Sequence, residues 1–151
     1  MIKDENMELA IKEAKKAAQR NEVPVGAIIK EASGQVIAIE SNKTIGLCDP
    51  TAHAEINAIR QACRARKDLY LPDCTMYVTL EPCTMCLSAI VNSRLKKIIY
   101  GLPSPKYGAF SSNHSICQNT KRLVKNTEVY GGFYQTEISR IMKEFFGDKR
   151  K

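Results

Sequence analysis

No stretch of the 151 residues approaches the roughly 20 consecutive apolar residues that a membrane-spanning helix requires. The first ten residues carry Lys3, Asp4 and Glu5 and lack the apolar centre of an export signal, so we expect a cytoplasmic protein. The chain also lacks internal repeats, low-complexity runs and linker-like segments. Its length and these absences predict a single domain over residues 1–151, not associated with a membrane.

Tryptophan is absent and histidine is scarce, with only two residues, His53 and His114. His114 lies in a serine-rich segment without a motif, which indicates a surface or substrate-contact residue rather than a metal ligand. Six cysteines are present, and in a reducing compartment their expected roles are ligation or catalysis before disulfides. Only Cys83 and Cys86 are close in sequence, while Cys63 fits the buried face of a helix.

Acidic residues are outnumbered, 16 against 23 basic ones, which gives a formal charge of +7. This excess favours an anionic partner, with nucleic acid first, although a solubilising surface would explain it equally well. The basic residues form three groups in the sequence: Arg64, Arg66 and Lys67; Lys121, Arg122 and Lys125; Lys149, Arg150 and Lys151.

Apolar periodicity predicts alternating helices and strands along the chain. The predicted elements are a helix over 7–19, a hairpin of strands within 23–30 and 35–41, a helix capped at Asp49 or Thr51 that ends near Arg66, a strand over 74–80, a helix from Glu81-Pro82 to about Asn92, a strand over 96–101, a loop over 102–118, a weak strand over 127–132 and a last helix with Ile138 and Phe145. The order α-β-β-α-β-α-β-β-α predicts an α/β protein with helices on both faces of a mixed sheet.

The segment "EPCTMC" places Cys83 and Cys86 where a strand gives way to a helix. Residues three apart share a helix face, and the helix N-terminus stabilises the thiolates that bind metal. His53, at the start of another predicted helix, can supply a third ligand. Three protein ligands and a water form the catalytic zinc pattern. Glu55, two residues after His53, can then take a proton from that water without being a ligand.

Two other interpretations of these motifs remain open. A Cys-x-x-Cys pair at a strand-to-helix junction also occurs in dithiol redox sites, but these have no use for the His-Ala-Glu segment. A structural zinc site would recruit Cys48 or Cys74 as a fourth ligand, and would leave Glu55 without a role. The presence of both motifs at helix starts favours the catalytic site.

The pattern His-x-Glu … Pro-Cys-x-x-Cys, within "DPTAHAEINAIRQA" and "YVTLEPCTMCLSAIVNSR", resembles that of the zinc-dependent cytidine/deoxycytidylate deaminase superfamily. With "NEVPVGAII" and the basic C-terminal helix, it is most similar to the branch that acts on transfer RNA. The resemblance implies a three-layer α-β-α cytidine-deaminase-like fold with a five-stranded mixed sheet. It also implies a homodimer that converts wobble adenosine of a tRNA anticodon loop to inosine, by a zinc-activated water with a glutamate proton shuttle.

The resemblance assigns roles to individual positions. One Zn²⁺ per chain would be held by His53, Cys83 and Cys86, with Glu55 as the shuttle. Asn42 matches an asparagine that holds the flipped base and its sugar. Ser104 stands where the family usually has an aspartate that contacts the ribose of the flanking nucleotide, so this hydrogen bond would lack a charge.

Aromatic residues of the long loop and the last helix are further candidates for substrate contacts. Tyr107, Phe110 and Phe146 could stack on bases or pack internally, whereas Phe145 continues an apolar stripe and is expected to pack. Two other functions stay open at this point: a deaminase of free bases or nucleosides, such as guanine, cytosine or cytidine, and a non-catalytic, zinc-stabilised RNA-binding module. The second would give Glu55 no purpose.

Overall fold

The computed structural model describes residues 3–112 and 125–149, with residues 148–149 as backbone only. The sequence predictions for His114, Lys121, Arg122, Arg150 and Lys151 therefore lie outside the described residues, as does the Lys149 side chain. The elements, in chain order, are α1 Glu5–Gln19, β1 Gly26–Lys30, β2 Val36–Ser41, α2 Ala54–Arg66, β3 Thr75–Leu80, α3 Thr84–Asn92, β4 Lys97–Leu102, β5 Glu128–Tyr130 and α4 Gln135–Lys149. No helix among these is long and apolar enough to cross a membrane.

The strands form one mixed sheet in the order β2-β1-β3-β4-β5. β1 is antiparallel to both β2 and β3, with Ile28 opposite Ile39 and Tyr77. β3, β4 and β5 run parallel, and α3 supplies the crossover that a parallel pair requires. The predicted five-stranded mixed sheet is confirmed.

Side chains alternate between the two faces of the sheet, as the period of a strand dictates. Ala27 and Ile29 of β1 belong to a core with α2 and α3, whereas Ile28 belongs to a second core with α1 and α4. Each fully buried large apolar side chain contributes about 1.5–3 kcal/mol relative to an exposed one. Helices thus cover both faces, and the predicted three-layer α-β-α fold is confirmed.

Helices α2 and α3 both begin later than predicted. Asp49 accepts hydrogen bonds from the Thr51 amide (2.8 Å) and hydroxyl (2.7 Å), so it closes a turn that precedes α2. Pro82 likewise lies before α3, because its carbonyl accepts from the Ala109 amide and Cys83 forms a β-bridge with Gly108. The N-cap residues themselves are extended: His53 (φ −67°, ψ 156°) and Cys83 (φ −76°, ψ 174°).

The other boundaries differ by a few residues. α1 begins at Glu5, because the Asp4 carboxylate caps the amides of Asn6 and Met7. β1 begins at Gly26, since residues 23–25 do not pair in the sheet, and β5 is only three residues long.

Gly26 lies where α1 crosses the sheet, and a Cβ there would collide with the Ala10 carbonyl oxygen and lie 2.9 Å from the Ala14 amide nitrogen. We expect Gly26→Ala to lower the free energy of unfolding by about 1–3 kcal/mol, as overpacking does. A Cβ at Gly147 of α4 would meet nothing within 4 Å, so Gly147→Ala should instead stabilise by about 0.5–1 kcal/mol. Denaturant unfolding measures both changes, and wild-type stability of Gly26→Ala would contradict the close contact.

Candidate active site

The N-termini of α2 and α3 meet on the same face of the sheet. His53 and Cys83 are the two N-cap residues, and neither side chain caps its own helix. Cys86 lies one turn into α3 and is fully buried. The three side chains are therefore directed toward one another, at the positive ends of two helix dipoles.

The donor atoms of these residues are spaced as ligands of one ion. His53 Nδ1 lies 3.7 Å from Cys83 Sγ and 3.4 Å from Cys86 Sγ, and the ligand atoms all lie within 4.8 Å of one another. Sulfur and nitrogen ligands at ~2.3 Å and ~2.0 Å from a tetrahedral zinc ion would be about 3.6 Å apart. An imidazole and two thiolates are also the ligand types that zinc prefers, so the residues fit the metal.

A fourth protein ligand does not join this cluster among residues 3–112 and 125–149. The Cys48 thiol is exposed and donates to the Ile45 carbonyl, and the Cys74 sulfur contacts the Arg66 guanidinium at 3.0 Å. The alternative of a four-ligand structural site is not supported by this geometry.

Protons are shared unevenly within the cluster. Hydrogen bonds with Cys86, first, and with His53 lower the pKa of Cys83 to about 4. The hydrogen bond with Cys83 raises the pKa of His53. A hydrogen bond with Cys83 and burial together raise the pKa of Cys86. Without metal, the cluster thus favours a thiolate at Cys83 and a proton on Cys86, and a metal ion would displace that proton.

Glu55, in the first turn of α2, is only 4% exposed. Burial raises the pKa of its carboxyl to about 7, and the negative charge of Cys83 acts in the same direction. A group that titrates near neutral pH exchanges protons readily in either direction, which is the property of a general acid/base.

A cavity of about 580 Å³ opens beside these groups. Its lining includes His53, Glu55 and Cys83 together with Asn42, Ser104 and Phe146. The structure therefore brings six of the seven sequence-predicted site residues to one cavity, with the buried Cys86 in contact with His53.

Asn42 carries a buried polar atom without a partner. Its side chain is 6% exposed, and Oδ1 accepts no hydrogen bond from the described residues. An unsatisfied buried acceptor costs about 1–3 kcal/mol, which a ligand with a hydrogen-bond donor would relieve.

The aromatic candidates separate into packing and exposed residues. Phe145 is buried, as predicted, and Phe110 stacks against Tyr100 with ring centroids 6.3 Å apart. Phe146 is 42% exposed and Tyr107 67% exposed, and both line the cavity.

Among the basic residues at the end of α2, Arg66 is committed to ion pairs with Asp73 and Glu31. Cys63 is half-buried and packs against the core, in line with its predicted helix face. Lys106 lies at the cavity instead, although no basic group in the sequence pointed to it.

Two buried glutamates near the cavity were missed by sequence reasoning. Glu22 accepts hydrogen bonds from the amides of Ile45 and Gly46 (2.9 Å each), and Glu81 accepts from amides of the loop that follows β4. Their partners are backbone groups distant in sequence, so no side-chain pattern could reveal them. Only the position of Glu81 directly before Pro82-Cys83 set it apart.

The three-layer fold brings a histidine, two cysteines and a buried glutamate together at adjoining helix starts. This arrangement defines a deaminase of the cytidine deaminase-like class, which is generally zinc-dependent. The chain belongs to the MafB19-like deaminase family, whose model matches residues 1–150. The family predicted from the sequence is thereby confirmed.

Individual relatives agree with this membership. The chain is 43% identical over 149 residues to the tRNA-specific adenosine deaminase of Agrobacterium fabrum (strain C58), which covers 95% of this chain and 93% of that protein. A solved structure from a study of A-to-I editing by tRNA:A34 deaminases at the wobble position of transfer RNA matches with a TM-score of 0.83 and 43% identity, over 90% of this chain and 97% of that one. A guanine deaminase structure from Bacillus subtilis matches with a TM-score of 0.64 and 36% identity, over 68% of this chain and 66% of that one.

Burial of Glu55 generates a prediction about stability and pH. Its pKa is about 7 in the folded chain against 4.5 ordinarily, so the folded state binds the proton more tightly. This contribution to stability is fully present below about pH 4.5 and is lost as the pH rises through about 7. In metal-free protein, we expect the free energy of unfolding of Glu55→Gln to rise by on the order of 3 kcal/mol relative to that of wild type as the pH goes from 4.5 to 8.

Chemical unfolding at several pH values, after chelator treatment, measures this difference. Glu144→Gln, at an exposed position of α4, controls for the substitution itself. If the difference in unfolding free energy between wild type and Glu55→Gln does not vary with pH, the carboxyl is not held protonated.

Proposed function

We propose that this chain is a hydrolase that deaminates adenosine to inosine at the wobble position of a transfer RNA anticodon loop. The observation that carries this proposal is the 43% identity with a tRNA-specific adenosine deaminase across nearly the whole of both chains. In the reaction, water replaces the amino group on C6 of adenine, and ammonia leaves.

One zinc ion per chain would be held by His53, Cys83 and Cys86. Zinc supplies a nucleophile near neutral pH, because it lowers the pKa of a bound water. The spacing of the nitrogen and sulfur atoms and the presence of only three protein ligands among the described residues support this assignment.

Glu55 would move the protons of the reaction. Its carboxyl would take one proton from the attacking water and pass it to N1, then take the remaining proton from the new C6 hydroxyl and pass it to the amino group, which leaves as ammonia while the C6 carbonyl forms. The pKa of about 7 and the burial of the side chain support this role, because the group can then exchange protons without competition from bulk water.

The substrate base would enter the cavity with its sugar. Asn42 would hold them through its unsatisfied Oδ1, while Ser104 would offer an uncharged hydrogen bond to a flanking ribose and Phe146 a ring for stacking. Insertion requires a base outside the stack, and the unpaired bases of an anticodon loop need less energy for this than a paired base. The +7 charge suits the phosphates of such a loop.

The homodimer, the cytoplasmic location and the single domain over 1–151 stay predictions from the sequence. A second candidate activity, deamination of free guanine, is favoured by the likeness to the Bacillus subtilis guanine deaminase structure. It uses the same metal centre and therefore needs a direct test.

The deciding experiment offers an anticodon stem-loop with adenosine at the wobble position, and scores inosine by nuclease digestion and chromatography. The matched control carries that adenosine one position away in the same loop. Free guanine, cytosine and cytidine are assayed for ammonia alongside. Inosine at the wobble position alone supports the proposal, whereas turnover of free guanine without stem-loop conversion would replace it.

The metal centre gives a prediction about zinc content. We expect about one zinc per chain in the purified protein, and its loss in His53→Ala, Cys83→Ala and Cys86→Ala, because two remaining ligands bind zinc weakly. Cys63→Ala, outside the cluster, should keep the zinc. Atomic absorption measures the content, and full zinc in Cys86→Ala would exclude it as a ligand.

The proposed proton shuttle gives a prediction about turnover. Glu55→Ala should keep zinc and stem-loop affinity while kcat falls by about 10²–10⁴-fold, the usual effect of a lost general acid/base. Glu55→Gln should be nearly as slow, because the amide matches the carboxyl in shape but cannot accept the proton. Near-normal inosine formation by either variant would remove Glu55 from the mechanism.

A further inference from the structure

The loop over residues 103–112, which follows β4, forms one wall of the cavity. It contributes Ser104, Lys106 and Tyr107 to the lining, and Tyr107 is 67% exposed there. The segment has no helix or strand of its own, so its shape depends on what holds it to the rest of the molecule.

A single buried carboxylate holds both ends of this loop. Glu81, directly after β3, is 3% exposed. Its Oε1 accepts from the Ser104 amide at 3.0 Å, and its Oε2 accepts from the amides of Phe110 (2.8 Å) and Ser111 (2.9 Å). Charge-assisted bonds of this kind are about twice as strong as neutral ones.

The loop also passes directly over the carboxylate at Gly108. A Cβ at this position would collide with the Glu81 carboxyl group and lie 2.6 Å from the Ser104 carbonyl oxygen. The Gly108 amide instead donates to that carbonyl at 2.7 Å. The glycine and the carboxylate thus form one contact that sets the curvature of the loop.

We propose that Glu81 is a positioning residue for substrate recognition, which holds the 103–112 loop so that Ser104, Lys106 and Tyr107 meet the nucleotides beside the target base. This role rests on the proposed function. It goes beyond it because Glu81 touches neither the reacting atoms nor the metal cluster among the contacts of the described residues.

Glu81→Gln tests the role with little change in size. Both carboxyl oxygens accept from backbone amides, and glutamine replaces one oxygen with an amino group that faces another donor. At least one end of the loop therefore loses its anchor. We expect KM for the stem-loop to rise about tenfold, kcat to fall less than about threefold, and zinc content to stay at one per chain.

Hydrogen exchange provides a readout that does not depend on activity. In Glu81→Gln, either the Ser104 amide or the amides of Phe110 and Ser111 should exchange at least about tenfold faster, while α2 and β3 exchange as in wild type. Gly108→Ala perturbs the same contact from the loop side and should shift KM in the same direction, so the test does not depend on one variant folding.

Ser93→Ala is the matched control for lost buried hydrogen bonding. Ser93 is 4% exposed and donates to the Ile90 carbonyl at the end of α3, outside the cavity. This variant should lose stability without a change in KM.

Three results would overturn the proposal. Zinc loss in Glu81→Gln would mean that Glu81 supports Cys83 instead. A fall in kcat at constant KM would place Glu81 in the chemical step. Unchanged hydrogen exchange over residues 103–112 would show that Glu81 does not order the loop. If wild type forms no inosine on the stem-loop, the proposed function fails and the recognition role with it, while hydrogen exchange still reports whether Glu81 anchors the loop.

Discussion

The candidate site depends on two helix N-cap residues with extended backbone, which lie side by side on one face of the sheet. His53 and Cys83 reach this arrangement because each has an extended backbone and its helix begins only at the next residue. If either helix began where its proline or acidic cap residue suggests, the ligand would rotate onto a helical turn and leave the cluster. The delayed starts therefore place the metal ligands, and the turn at Asp49 and the bridge between Cys83 and Gly108 stabilise them.

The close approach of α2 to the sheet follows from the small size of its buried side chains. α2 packs on the sheet through three alanines at the same helical face, Ala54, Ala58 and Ala62, each fully buried. Small side chains let a helix axis lie close to the strands, and α3 packs on the neighbouring strands of the same face. The apolar core thus sets the distance between the polar groups of the site.

Buried polar groups near the cavity fall into two kinds. Glu22 and Glu81 are satisfied by backbone amides and hold loops, which is the usual state of a buried polar side chain. Asn42 lacks this satisfaction, since its Oδ1 has no hydrogen-bond partner among the described residues, and Glu55 is set apart by burial, which raises the pKa of its carboxyl to about 7. A buried acceptor without a partner and a carboxyl with a raised pKa are groups that a substrate can use, so the distinction separates loop support from chemistry.

The sequence by itself determined the element order, the three-layer architecture and the pairing of the two motifs, because apolar periodicity and ligand spacing are local patterns. It also predicted Asn42, Ser104 and Phe146 as site residues, and the structure places all three at the cavity. The tertiary structure alone decided where α2 and α3 begin, which of Tyr107, Phe110 and Phe146 pack and which stay exposed, and that Glu81 supports the loop beside the site. The start of α3 and the role of Glu81 depend on contacts between residues distant in the chain, such as Cys83 with Gly108 and Glu81 with Phe110, and no local pattern encodes such a partner.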